Sequence, residues 1–185
     1  AVRYDYLDFS TADLRRACCE AEVRINRPSA PTIYLGVAPV TREPDGRLAL
    51  GGMGHPVDWV VAMRRFDGEQ QFDRLAARGA LTLDVMPPLA RAVARYHEGA
   101  PRTPSYGGRP GIAWVVDGNA EGFHTYGAAC LDPAACAHLT AEARRRVDRH
   151  ALDLNERRRN GLVRRCHGDL HLRNIVLLDG VPTVF

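Results

Sequence analysis

The sequence predicts an α+β fold in two parts, on three observations. One helical pattern and several β-rich segments fill the first third of the chain, up to residue 66. The remainder is dominated by helical patterns, which Gly- and Pro-rich stretches separate. Two short apolar segments flank Asp179-Gly180 near the C-terminus, a strong signal for a β-hairpin. We therefore expect a small α/β part at 1–66 and a mostly helical part at 67–185.

The first part opens with a helix that we place at 11–26. Ser10, with Asp13 three residues later, is a suitable N-cap, and Pro28 ends the helical pattern. Three later segments are rich in β-forming residues, at 32–42, 47–50 and 57–66. The turn sequence EPDG connects the first two strands, and the third is apolar enough to be central.

The second part contains four helical patterns, at 69–78, 84–98, 112–126 and 133–159. A loop rich in Gly and Pro covers 99–111. Residues 163–166 are expected to form a short strand, and the predicted hairpin then closes the chain.

The composition narrows the class of protein. Of the 185 residues, 45% are apolar and 25% are charged, which is usual for a globular domain. The five cysteines are an odd number without a C-x-x-C pair, which indicates reduced thiols rather than a disulfide framework or a zinc knuckle. No apolar run approaches the roughly 20 residues that span a bilayer, and no signal peptide opens the chain. We therefore expect a cytoplasmic protein without a membrane partner.

All 25 basic residues are arginine, so chemistry that requires a lysine cannot be completed by these residues alone. The chain opens without Met and closes on a strand-like segment, and we expect the parent protein to be longer at both ends. Arginines are frequent at 144–149 and 157–159, but acidic residues lie among them and no aromatic residues interleave. This pattern favours a solvated helix face over a nucleic-acid partner.

The stretch HGDLHLRN, at 167–174, carries most of the functional information, and three kinds of chemistry fit its residue types. His167 and His171 have the spacing of two zinc ligands on a helix, but Gly168 and the strand context disfavour a helix there. A metallophosphoesterase also uses Gly-Asp and histidine, but it needs further ligands at other strand ends, and the other histidines lie in no such motif.

Phosphoryl transfer is the third chemistry. It uses an Asp that accepts the proton of an attacking hydroxyl and an Asn, five residues later, that binds Mg²⁺ at the phosphates. Asp169 and Asn174 have this spacing, and the hairpin follows directly. The combination favours phosphoryl transfer.

The same residues resemble the catalytic loop of the aminoglycoside phosphotransferase and choline kinase families, which are small-molecule kinases with a protein-kinase-like fold. The segments YLDFSTADLRRACCEAEVRIN, YLGVAPVTR and VDWVVAMRRF resemble a bacterial branch of this superfamily, in which the kinase-like domain is often joined to a P-loop ATPase-type domain. The resemblance covers nearly the whole chain and is weakest at 99–160. It implies a two-lobed protein-kinase-like fold, with an incomplete N-lobe at 1–66 and a mostly helical C-lobe at 67–185.

The resemblance implies a role for each matching residue in the loop. Asp169 would be the catalytic base, or would orient the acceptor hydroxyl. Asn174 would bind Mg²⁺, and His171 would support the loop by hydrogen bonding.

The resemblance also implies nucleotide contacts in the N-lobe. Glu22, with Glu20 as the alternative, would be the helix glutamate that pairs with a phosphate-binding lysine; a solvated helix surface is the other interpretation of both. Met63 and Arg65 would belong to the hinge that contacts adenine, mainly through backbone groups, whereas core packing is the other interpretation of Met63.

Some parts of the pattern are missing from 1–185. There is no lysine, no Gly-rich phosphate loop before one, and no second metal-binding Asp after the return strand. We expect these groups in the parent protein and expect 1–185 alone to be inactive. The implied function is transfer of the ATP γ-phosphate to a hydroxyl of a small molecule, with ATP and Mg²⁺ as cofactors. The competing interpretation is a non-catalytic nucleotide-binding module that serves an attached ATPase domain.

Overall fold

The computed structural model describes residues 2–4, 7–127 and 129–185, which form a mixed α+β structure. The chain divides into two compact units, one made of Ala1–Ala100 with Cys166–Phe185 and one made of Pro101–Arg165. The predicted boundary between residues 66 and 67 lies inside the first unit, since the C-terminal hairpin packs with the N-terminal segments.

The first unit opens with a two-stranded ribbon and a helix. Strands β1 (Arg3–Tyr4) and β2 (Leu7–Asp8) pair antiparallel, and helix α1 spans Ala12–Asn26. Thr11 is the N-cap, because its hydroxyl accepts a hydrogen bond from the Leu14 N–H at 3.2 Å. The expectation that Ser10 caps the helix is wrong: its N–H donates to the Asp8 carboxylate at 2.9 Å.

Three antiparallel strands follow: β3 (Tyr34–Arg42), β4 (Leu48–Leu50) and β5 (His55–Met63). Their order in the sheet is β4-β3-β5, so β3 is central and not β5 as predicted. Strand β5 ends at Met63 rather than at residue 66, because its partner β3 begins at Tyr34, opposite Met63.

Arg15 attaches α1 to the sheet. Its guanidinium donates to the Asp58 carboxylate at 2.5 Å and to the main-chain oxygens of Phe9 and Val57 at 2.9 and 3.2 Å. Hydrogen bonds from Arg15 and from the Trp59 N–H hold the pKa of Asp58 below its usual value. The helix therefore has a defined position on β5.

The rest of the first unit is two helices and the hairpin. Helix α2 spans Phe72–Ala77, after a short 3₁₀ turn at Gly68–Gln70, and α3 spans Met86–Gly99. Strands β6 (Ile175–Leu178) and β7 (Val181–Val184) form the predicted hairpin. Asp179 and Gly180 both have positive φ, 48° and 79°, as a two-residue hairpin turn requires.

The hairpin lies between two apolar clusters, because successive side chains of β6 point to opposite faces. Val176 is fully buried with Ala30, Ile33 and Tyr34, beside α1 and β3. Ile175 is buried on the other face with two residues of α2, Phe72 and Leu75. The strand that follows the HGDLHLRN loop is therefore packed on both faces.

The second unit contains α4 (Gly108–Tyr126), α5 (Pro133–Arg149) and α6 (Ala151–Arg159). The prediction of one helix at 133–159 is wrong, because the chain turns at His150. A tertiary contact holds the two helices on either side of this turn: Arg109, in the first turn of α4, binds both of them. Its guanidinium donates to Asp148 at 2.7 Å, and its N–H donates to the Asn155 side chain at 3.0 Å. The hydrogen bond from the Arg109 N–H lies in the first turn of α4, which begins at Gly108, four residues before the predicted start at residue 112.

The strand predicted at 163–166 is reduced to a single bridge, in which Arg102 lies opposite Arg164. Pro101 and Pro104 flank the partner segment and have no N–H to extend the pairing. Among the described residues, no helix is long and apolar enough to cross a membrane.

Candidate functional site

The HGDLHLRN loop lies in the first unit, directly before β6. Its last residues form a 3₁₀ turn at Leu172–Asn174, and the His171 ring caps this turn by accepting the Arg173 N–H at 3.1 Å. Gly168 has φ of 84°, a conformation that other residues rarely adopt, and no atom lies near the position of a Cβ. The backbone conformation, not lack of space, therefore requires glycine.

His167 ties the loop to the end of the hairpin. Its Nδ1 accepts the N–H of Asp169 at 3.2 Å, and its Nε2 lies 3.1 Å from the main-chain oxygen of Phe185. Because Nδ1 accepts, the ring proton is on Nε2 and is donated to Phe185. The Phe185 N–H in turn donates to the Asn174 main-chain oxygen at 3.0 Å. Both ends of the loop are thus hydrogen-bonded to Phe185, the residue that directly follows β7.

Asn174 is held by its amide nitrogen, which donates to the main-chain oxygen of Asp169 at 2.8 Å. Its side-chain oxygen has no hydrogen-bond partner among the described residues and is the atom left for an external ligand. The five-residue spacing that singled out these two residues therefore corresponds to a direct contact.

The Asp169 carboxylate is the most exposed functional group of the loop, with 82% of its side chain accessible. One carboxylate oxygen lies 3.5 Å from Nε2 of His171. Since Nδ1 of His171 accepts the Arg173 N–H, Nε2 is the ring nitrogen that faces the carboxylate, and it also lies 3.5 Å from the Asn174 side-chain nitrogen. An exposed carboxylate on a hydrogen-bonded loop can accept a proton from a hydroxyl that approaches it.

The start of α2 supports the loop from the opposite side. The Gln71 side chain donates to the Arg173 main-chain oxygen at 2.9 Å, and Gln71 forms a β-bridge with Val176. The Arg173 guanidinium lies 3.7 Å from the Asp73 carboxylate. Sequence analysis missed Gln71 and Phe185, because no local pattern marks a contact between residue 71 and residue 173.

The predicted N-lobe contacts are not gathered at the loop. Glu20 is paired with Arg16 at 2.8 Å, whereas Glu22 is exposed without an ion pair among the described residues, so Glu22 is the better candidate to meet an added cation. Met63 is 36% exposed at the end of β5. Arg65 lines a cleft whose walls do not include Asp169 or Asn174.

The described geometry does not favour zinc. Both ring nitrogens of His167 are used in internal hydrogen bonds, and Nδ1 of His171 is used as well. No group of three or more metal-ligating side chains occurs within the described residues. Magnesium needs fewer protein ligands than zinc, because one or two protein oxygens, together with phosphate and water oxygens, complete its coordination shell. The free side-chain oxygen of Asn174 fits such a role.

Comparison with known proteins gives relatives but no family. No protein-family model and no solved structure match the chain. The uncharacterized protein Rv2004c of Mycobacterium tuberculosis is 27% identical over 189 residues, which cover 97% of this chain and 35% of the relative. The uncharacterized protein Mb2027c of Mycobacterium bovis matches with the same identity and coverage. The chain thus spans about a third of the length of these curated relatives.

Proposed function

We propose that this chain carries the catalytic loop of an ATP- and Mg²⁺-dependent phosphotransferase, which moves the γ-phosphate to a hydroxyl of a small molecule. The observation that carries the proposal is the coupling of Asp169 and Asn174. Asn174 donates to the Asp169 main chain, so the exposed carboxylate and the free amide oxygen are parts of one hydrogen-bonded loop.

Asp169 would accept the proton of the acceptor hydroxyl and orient its oxygen toward the phosphate. The His171 ring, whose Nε2 lies 3.5 Å from the carboxylate, would hold that carboxylate in place. His167 and Phe185 would keep the loop fixed while the acceptor binds. Catalysis would come from positioning the two reactants.

Asn174 would hold the metal ion through its side-chain oxygen, and the ion when bound would neutralise phosphate charge. The residues present fit the nucleotide only in part. The chain offers no lysine for the phosphates, and Glu22, Met63 and Arg65 stay predictions of nucleotide contact. We propose a two-lobed kinase-like fold on the resemblance of the loop, with α1 on the antiparallel sheet and the hairpin after the loop as its structural support.

The missing lysine favours a second candidate, a non-catalytic nucleotide-binding module. The two candidates differ in one measurable property, which is turnover that depends on an acceptor. An enzyme consumes ATP faster when a suitable hydroxyl is supplied, whereas a module binds ATP without turnover.

The test uses the protein at its full natural length, with Mg²⁺, ATP and a panel of small alcohols and amino sugars. Asp169→Asn removes the proton acceptor, and Asp153→Asn is the matched control, because Asp153 is an exposed carboxylate of α6 in the second unit. We expect acceptor-dependent turnover that the first variant loses and the second retains. ATP binding without turnover in every protein of the set would contradict the proposal.

A further inference from the structure

A second cleft lies in the first unit, between the segment after β5 and the turn of the β6–β7 hairpin. It encloses about 540 Å³, within the size range of small-molecule sites. Neither Asp169 nor Asn174 lines it. The cleft therefore does not contain the two residues proposed for the transfer step, although Arg65, a predicted nucleotide contact, lines it.

Two adjacent arginines, Arg64 and Arg65, line this cleft. Both are exposed, and neither side chain makes an ion pair or hydrogen bond with another described residue. The main-chain N–H of Arg64 donates to the Ile33 oxygen at 2.8 Å, which fixes the backbone from which the two side chains extend. Two unpaired guanidiniums that line one cleft match a dianion with several oxygens, such as a phosphate monoester, better than a single carboxylate.

The opposite part of the cleft is apolar. Ile33 is 1% exposed and forms part of the core, and Phe66 is packed edge-to-face on Phe185 with ring centroids 4.9 Å apart. Leu178 is half-buried and packs against the same cluster as Phe66, whereas the Leu177 side chain lies on the opposite face of β6. A ligand with an apolar or aromatic body can bury that body here while its anionic group reaches the arginines.

Two carboxylates also line the cleft and constrain the orientation of a ligand. Asp67 is engaged locally, since its carboxylate accepts the Glu69 N–H at 3.0 Å. Asp179 lies in the hairpin turn with an exposed side chain. An anionic group is repelled by Asp179 and attracted by Arg64 and Arg65, so we place it on the arginines.

We propose that this cleft binds an organic phosphate monoester, with the phosphate on Arg64 and Arg65 and the apolar body against Phe66 and Leu178. The proposal does not use Asp169 and does not depend on the proposed phosphotransferase function. The main-chain groups of Met63 and Arg65 stay available for the adenine contacts that the resemblance implies.

Binding of phenyl phosphate, measured by titration calorimetry at low ionic strength, tests the proposal. We expect phenyl phosphate to bind about tenfold more tightly than inorganic phosphate, because the ring is buried. The double variant Arg64→Gln/Arg65→Gln should weaken its binding by about tenfold or more, since charge-assisted hydrogen bonds are lost. The control is Arg157→Gln/Arg159→Gln, which removes the same charge from exposed positions of α6 and should leave binding unchanged.

Equal weakening in the two double variants would overturn the proposal, because it would show a general charge effect. Equal affinity for phenyl phosphate and inorganic phosphate would overturn it too. Asp179→Asn is an independent test of where the phosphate lies. Removing this negative charge should tighten phenyl phosphate binding, and weaker binding would contradict the placement of the phosphate.

The titrations are repeated in the Asp169→Asn background to separate this proposal from the transfer function. Retained phenyl phosphate binding in this variant shows that the cleft does not require Asp169, and phenyl phosphate binding that ATP leaves unchanged supports two separate sites. ATP could instead displace phenyl phosphate, and the Arg64/Arg65 double variant could fail to bind ATP. If both results are found, the cleft is the nucleotide site, and the proposal of a separate site fails.

Discussion

His167 offers a quantitative test of how the loop is held. His167→Leu removes two hydrogen bonds, from the Asp169 N–H and to the Phe185 oxygen. A net hydrogen bond contributes about 1 kcal/mol. The freed Asp169 N–H can bind water because that residue is exposed, whereas the half-buried Phe185 oxygen is only partly compensated. We therefore expect a loss of about 1–2.5 kcal/mol in the free energy of unfolding.

Urea unfolding followed by circular dichroism measures this loss, and thermal unfolding should show a fall of several degrees in Tm. His150→Leu is the control, because His150 is exposed and its ring makes one 3.5 Å contact, with Asp153. Its effect should stay within about 0.5 kcal/mol. His167→Gln, which retains a donor and an acceptor, should recover part of the loss. If His167→Leu is as stable as the control, His167 does not tie the loop to the return strand.

Three further predictions follow from the fold and the loop. Phe72→Ala empties a fully buried position beside Ile175 and should lower the free energy of unfolding by about 3–5 kcal/mol in urea titrations; a change under about 1 kcal/mol would contradict the assigned core. The pKa of Asp58 is lower in the folded protein than in the unfolded chain, so its charged form stabilises the fold at pH values above the unfolded-chain pKa. That stabilisation is lost as the pH falls through the pKa of the folded protein. Asp58→Asn should therefore be less stable than the parent at pH 7, and the gap should close below the usual Asp value; a gap that is constant with pH would refute the Arg15 contact as its cause. Asn174→Ala should raise the Mg²⁺ concentration needed for half-maximal turnover, while Asn174→Asp, which keeps an oxygen, should raise it less; equal Mg²⁺ dependence in all three proteins would exclude Asn174 as a ligand.

Local sequence chemistry was sufficient to predict much of the first unit. The turn at Asp179-Gly180 was predicted because this pair favours positive φ, and the hairpin follows from it. The spacing of Asp169 and Asn174 was also informative, since the structure joins these residues by a hydrogen bond. Both patterns are complete within a few residues, so no distant part of the chain has to be known.

The failures involve partners that are distant in sequence. The turn at His150 is held by Arg109, which lies about 40 residues earlier and binds both α5 and α6. The support from Gln71 spans 102 residues. The N-cap is a local exception: Thr11 caps the helix, and the Ser10 N–H binds the Asp8 carboxylate two residues earlier, a contact that capping preferences do not include.

The most direct test of the central claim separates binding from chemistry in Asp169→Asn. The substitution leaves the shape of the side chain nearly intact and removes its negative charge together with its ability to accept a proton. On the protein at full natural length, we predict that the affinity for Mg²⁺-ATP stays within about twofold while acceptor-dependent kcat falls about 100-fold or more. Unchanged kcat in Asp169→Asn, in a protein that does transfer phosphate, would contradict the assignment of Asp169 and the function proposed from it.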